Sequence, residues 1–262
     1  MYDPPGYLWA ITIAGIIAIL AAACVVLYGG AVRAGLGRRR AALLAGGAAT
    51  VLGGWFTASA VIAGHGWYHT RLGHGVPWMP VAVAAFLVLL LALRQIPVVA
   101  RALAAPGTVR RLELPHSFRV ADGVAFVVIM ALGHLPPLFA LPAGLGDIAT
   151  GIAAPLVALR LARGTGRRAA LWLNAFGMTD LVVALTLGAV TAYQLIHLTP
   201  SGAPISALPL ALVPTVGVPV LFAVHITSVS ALARAPRTPL PATAPRTAEL
   251  AATASDGKDL VR

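Results

Sequence analysis

Long apolar runs broken by short polar stretches dominate this chain. Most extend over roughly 18 to 25 residues, enough for an α-helix rising ~1.5 Å per residue to cross ~30 Å of hydrocarbon. The pattern predicts an all-α, polytopic transmembrane bundle of seven spans. They fall at about Tyr7–Tyr28, Ala41–Gly64, Trp78–Arg94, a fourth opening at Ser117, then Gly146–Leu161, Ala169–Val190 and Leu208–Leu232. The fifth is short for a crossing, which implies little tilt or a locally thinned bilayer.

The polar stretches alternate in charge. GGAVRAGLGRRR after the first span, the connection bearing Arg101, Arg110 and Arg111 after the third, and RLARGTGRR after the fifth are arginine-rich. The stretches after the second, fourth and sixth spans contain only Arg71 among them. Cytoplasmic loops concentrate Lys and Arg, so the N-terminus is expected outside and the C-terminus in the cytoplasm. Residues 1–234 then form the membrane domain. Residues 235–262, rich in Pro, Thr, Ala and charge, are too poor in large apolar groups for a core and are expected to be a disordered cytoplasmic tail.

Composition agrees with this picture: 59% of the 262 residues are hydrophobic, 10% are charged and the mean hydropathy is +0.87, whereas soluble domains are about a quarter charged. The net charge of +11 does not imply nucleic-acid binding, because the arginines sit between apolar runs instead of forming a solvated basic face. The preference for arginine over lysine reads as a GC-rich, bacterial genome, and the expected location is the plasma membrane. Cys24 is the sole cysteine, which excludes an intrachain disulfide. It follows Leu20-Ala21-Ala22-Ala23, but the leader carries Asp3 and no basic residue, unlike a secretory signal. A retained first span is therefore expected, with Cys24 as a small apolar residue.

Two features describe the bundle interior. On the second span Ala42, Gly46, Thr50, Gly54 and Ala58 recur every four residues, a stripe of small side chains expected to form a close helix seam. On the seventh, Pro209, Pro214 and Pro219 interrupt the backbone ladder. Such breaks persist in membranes where neighbours satisfy the freed carbonyls, so this helix should be buried or line a cavity. Pro136, Pro137 and Pro142 break the segment before Asp147, leaving two alternatives for 134–147: a re-entrant turn or a tight apolar extracellular hairpin.

Ionisable residues inside a span cost about 2.5–3.5 kcal/mol at the centre on insertion scales, which makes each a functional candidate. Asp180 falls near the middle of the sixth span and is the first candidate for proton or cation handling, or for a structural pairing. Arg119, Asp122, Asn174 and His225 are expected at one depth on the cytoplasmic side, as a polar cluster. Alternatively, Arg119 and Asp122 are simply neighbours in a first helical turn. His65, His69, His134 and His197, with His74, lie toward the outer face. They are candidates for a metal or haem site, with Asp147 as a further ligand; the alternative is an interfacial belt with Trp67, Tyr68 and Trp78.

Seven spans match the topology of microbial rhodopsins, but retinal needs an intramembrane lysine, and the only lysine, Lys258, is in the tail. The first three spans do not align with the last three, as a repeated sugar-transporter fold would require. No phosphate loop, zinc-protease motif or serine elbow is present, which argues against an enzyme. FRVADGV, LPPLFALPAGLGD and WLNAFGMTDLVVA have the look of motifs of a bacterial membrane family. The preferred expectation is a small-solute or ion permease with its pathway among the fourth, sixth and seventh spans and Asp147 as a further pathway residue. A metal- or haem-binding redox protein and a non-enzymatic scaffold or assembly subunit are the alternatives. The bilayer is the expected partner, and oligomerisation is open.

Overall fold

The computed structural model describes residues 4–69 and 76–234. Arg71, His74 and the tail with Lys258 lie outside the described residues, as does Asp3. Within them the chain is helical, with no strand. Its helices are α1 (Gly6–Arg33), α2 (Arg38–Gly64), α3 (Trp78–Leu93), α4 (Pro97–Ala104), α5 (Thr108–Leu112), α6 (Arg119–Ala131), α7 (Pro137–Ala162), α8 (Arg167–Ala192) and α9 (Val218–Arg234). A 3-10 turn, Leu114–Phe118, joins α5 to α6, and a π-turn, Val213–Gly217, leads into α9. Six helices are long and apolar enough to cross a membrane, or seven if α3 and α4, bent by 83° at their junction, count as one span.

Two expected boundaries move. The fourth candidate span opens before Ser117: α5, the 3-10 turn and α6 together make a 24-residue stretch, Thr108–Ala131, long and apolar enough to cross a membrane. Arg110, Arg111 and Pro115 made its first turns read as loop. The fifth span is not short either, because α7 is helical without a break over 26 residues and contains Pro142 and Pro155. Segment 134–147 is helical from Pro137 onward, and the chain makes a tight turn between α6 and α7 over residues 132–136. Pro137 occupies the first turn, where a missing N–H removes no intrahelical bond.

Glycines set how closely α6, α7 and α8 approach. A Cβ on Gly123 would lie 2.5 Å from the Gly144 carbonyl, and one on Gly144 would lie 3.0 Å from the Gly123 carbonyl, so α6 and α7 touch backbone to backbone. A Cβ on Gly146 would overlap the Asp180 carboxylate of α8. A short turn joins α7 to α8, and Arg167 at its end donates to the Leu232 carbonyl at 2.9 Å, fastening α8 to the end of α9.

The proline-interrupted last span behaves as its sequence implies, although regular α-helix begins only at Val218. Pro219 lacks the N–H that would bond the carbonyl of Thr215, and that carbonyl instead accepts the indole N–H of Trp55 at 2.9 Å. Ser59 Oγ lies 2.6 Å from Thr215 Oγ1 and 3.1 Å from the Tyr68 hydroxyl, so α2 holds the π-turn by two side chains, Trp55 and Ser59, with Tyr68 beyond the helix end bonded to the second. All of Val213–Gly217 is buried. The small-residue stripe of α2 departs from expectation: Ala42, Gly46, Thr50, Gly54 and Ala58 are all exposed, and nothing among the described residues packs on Gly46 or Gly54. It is not a seam within this bundle. Cys24 is half-buried beside the apolar core.

Candidate functional site

Every acidic residue in the described parts of the chain, Glu113, Asp122, Asp147 and Asp180, is buried, and all lie in one region together with Arg119, the only arginine buried among the described residues. Outside it, the charges on these helices are arginines at the ends of α1, α3, α7 and α9, at the starts of α2 and α8, and in the short helices α4 and α5. Carboxylates have thus been kept for a single place.

Arg119 is its centre. It is fully buried where the 3-10 turn passes into α6, a junction that points the guanidinium at α7 and α8. Nε donates to Asp147 Oδ1 at 2.6 Å, Nη2 pairs with Asp180 Oδ2, and Nη1 reaches the Gly177 carbonyl at 3.4 Å. The guanidinium fork therefore ties three helices with charge-assisted bonds. Asp122, one turn along α6, lies against α1: a Cβ on Gly15 would stand 3.5 Å from its Oδ1, which has no partner.

A second polar group adjoins Arg119 on the arginine-rich side. Glu113 Oε1 accepts from Ser228 Oγ at 2.5 Å and from Asn174 Nδ2 at 3.0 Å. Asn174 Oδ1 lies 2.9 Å from His225 Nδ1. Because an amide oxygen only accepts, His225 carries its proton on Nδ1, a tautomer assigned from the bonding pattern. Its Nε2 faces Gly177, where a Cβ would meet both Nε2 at 2.6 Å and Arg119 Nη1 at 3.1 Å. His116 stacks on His225 with ring centroids 3.8 Å apart, and neither of its nitrogens has a partner.

Above this layer a cavity of about 410 Å³ lies between α3, α6, α7, α8 and the π-turn. Its walls are apolar, including Phe126, Phe139 and Leu181; Asp122 and Asp147 lie at its inner end, and Tyr68, Tyr193 and Ser206 are at the end remote from the arginines. Burial pushes the Tyr68 and Tyr193 hydroxyls up in pKa; on Tyr68 the hydrogen bonds with Ser59 and Thr215 oppose part of that rise. From Asp122 and Asp147 at the inner end of the cavity to Glu113 and Ser228, buried polar side chains gather around Arg119.

The structure places Arg119, Asp122, Asn174 and His225 in one buried group, and Asp180, read from sequence as a separate mid-span carboxylate, is joined to it by its pair with Arg119. Asp147 joins them through its ion pair and does not accompany the outer histidines. Glu113 and His116, absent from that reading, complete the group. His65, His69, His134 and His197 are exposed at the opposite end, with His65 Nδ1 2.8 Å from the Val61 carbonyl. Among the described residues no three His, Cys, Asp or Glu side chains come together as a metal would need.

A family model described as a domain of unknown function, DUF8737, matches residues 76–233, more than half of the chain, and contains every charged residue of the buried group. No curated protein and no solved structure matches.

Proposed function

We propose, for a chain that belongs to the DUF8737 family, that the matched domain is a permease for a small solute or ion, coupled to protons through the carboxylates around Arg119. The observation that carries this is the cavity with Asp122 and Asp147 at its inner end, continuous with a buried group of titratable side chains. Four buried acids accompany one buried arginine, and in a medium of low dielectric that imbalance calls for protons or a cation as company. Asp122 Oδ1, Glu113 Oε2 and His225 Nε2 have no protein partner, which leaves them free for transferable protons. Apolar walls with acids at the base suit a small cation or a protonated amine bearing some hydrocarbon.

The orientation follows from the arginines. The N-terminus lies outside, the end of the cavity bearing Tyr68 and Tyr193 lies toward the outer side, and the Glu113 layer faces the cytoplasm. Reporter fusions at Arg39, Gly73, Pro106, Gly164 and Gly202 should alternate inside and outside; two successive positions reporting one side would overturn it.

The direct test is flux in proteoliposomes under an imposed pH gradient, across a panel of ions and small amines. Native protein should move at least one solute with protons, and Asp122→Asn should abolish coupling while the protein stays folded. Absence of flux across the panel, with Asp122→Asn altering only thermal stability, would leave a scaffold or assembly subunit. That second reading draws on the exposed small-residue stripe of α2.

A further inference from the structure

Toward the arginine-rich end, separate from the acid-lined cavity, α2 and α3 border a second space. The stacked rings of Trp55 and Phe86, 4.6 Å between centroids, join the two helices deeper in the bundle. Nearer the end lies a cavity of about 410 Å³ lined by Leu43, Gly47 and Leu52 of α2, Leu90 of α3, Leu103 of α4 and Val224 of α9. Its lining is almost wholly apolar. Leu43 is itself 68% exposed, so the cavity communicates with the surroundings beside α2. From Leu43 to Leu52 its wall follows α2 for roughly 13 Å at ~1.5 Å per residue, close to the depth of one leaflet's hydrocarbon.

A polar space of about 300 Å³ adjoins it and shares Arg94, Leu103 and Thr227 with it. Here the lining adds Gln95, Gly107, Ser230 and Arg234. Arg94 stands at the junction, and its Nε is buried without a protein partner. The 83° bend after α3 turns α4 across the bundle end, where Ala102 packs on Gly30 of α1, so α4 lies as an interfacial helix would. An apolar slot of leaflet depth is thus capped, at interfacial level, by two arginines and hydroxyl and amide groups.

We propose that these joined cavities bind one anionic phospholipid of the arginine-rich leaflet, an acyl chain between α2 and α3 and the phosphate at Arg94 and Arg234. Charge complementarity selects the occupant: a chain alone would leave the guanidinium of Arg94 unanswered, and a zwitterionic headgroup would place a cation among arginines.

The experiment uses the full chain, purified in mild detergent and stripped of lipid, with phosphatidylglycerol, phosphatidylcholine and inorganic phosphate as probes. Native mass spectrometry and the melting midpoint are the readouts. Phosphatidylglycerol should be retained as a single adduct and raise the midpoint; phosphatidylcholine should be retained more weakly, and inorganic phosphate should do neither. Arg94→Gln should weaken phosphatidylglycerol retention about fivefold, the worth of one arginine near a headgroup. Gly47→Phe fills the slot from a position whose Cβ has open space around it, and should reduce retention without lowering the midpoint of lipid-free protein. Equal retention of both lipids, stabilisation by inorganic phosphate alone, or retention unchanged in Gly47→Phe would each overturn the assignment.

Discussion

Replacing Arg119 by glutamine tests whether the buried ion pairs organise the bundle. The guanidinium makes two charge-assisted bonds, to Asp147 and Asp180, on two different helices. Each such bond is worth about 1.5–3 kcal/mol, so their loss amounts to about 3–6 kcal/mol. Removing one member of a buried pair costs about 3–5 kcal/mol, because the remaining charge is left uncompensated, and the two figures agree. Asp147→Asn alone keeps an acceptor for Nε and leaves the Asp180 pair intact, so about 1.5–3 kcal/mol is expected. The triple variant Arg119→Gln, Asp147→Asn, Asp180→Asn removes all three charges while keeping shape, and it should be more stable than Arg119→Gln alone by at least ~2 kcal/mol. Unfolding in mixed detergent micelles, followed by tryptophan fluorescence, gives the comparison. If Arg119→Gln were no worse than Asp147→Asn, or if the triple variant simply summed the single losses, the pairs would not be coupled and the reasoning would fail.

Three other outcomes follow from the packing. Gly146→Ala places a methyl group on the Asp180 carboxylate and should lower stability by about 1–3 kcal/mol by overpacking, read in the same unfolding assay; a neutral result would mean that α7 and α8 are not this close. Trp55→Phe keeps the ring stack but leaves the Thr215 carbonyl without its donor, at about 1–3 kcal/mol, and should loosen hydrogen exchange around the π-turn more than elsewhere. Burial raises the Tyr68 pKa, so its folded-state value lies above the unfolded value of ~10. Its contribution to stability is then fully present below about pH 10 and is lost as pH rises through the folded pKa. A phenolate absorbance titration of the native chain against Tyr68→Phe should show a late step; loss of that step at the pH of an exposed tyrosine would contradict the burial.

Helix positions were legible because hydrocarbon demands long uninterrupted apolar runs, and Arg119, Asp122, Asn174 and His225 as a cluster, with Asp180 as a separate candidate, were legible because intramembrane polar residues are few. What escaped did so for local reasons. Glu113 and His116 lie among Arg110, Arg111 and Pro115, a stretch whose hydropathy is that of a loop, and only the partners Asn174 and Ser228, far away in sequence, make Glu113 tolerable inside. Asp147 was a candidate both for the pathway and for the outer histidines, and its partner was what escaped: Pro136, Pro137 and Pro142 read as a broken outer segment, whereas α7 accommodates them and carries the carboxylate to Arg119. The α2 stripe had the spacing of a helix contact, but spacing does not say whether the neighbour belongs to the same chain.

The placement of Arg119 also bears on biogenesis. When Thr108–Ala131 leaves the ribosome it presents the bilayer with Arg119, Asp122 and Glu113 and with none of their partners from α7, α8 and α9. At roughly 2.5–3.5 kcal/mol for a centrally placed charge, this segment alone is a poor guest of the lipid. Asp147 arrives 28 residues after Arg119, on a helix already appressed through Gly123 and Gly144. Insertion of these two segments should therefore occur as a helical hairpin, delivered together from the translocon, so that a chain truncated after Ala131 would slip back from the membrane while one truncated after Ala162 would stay.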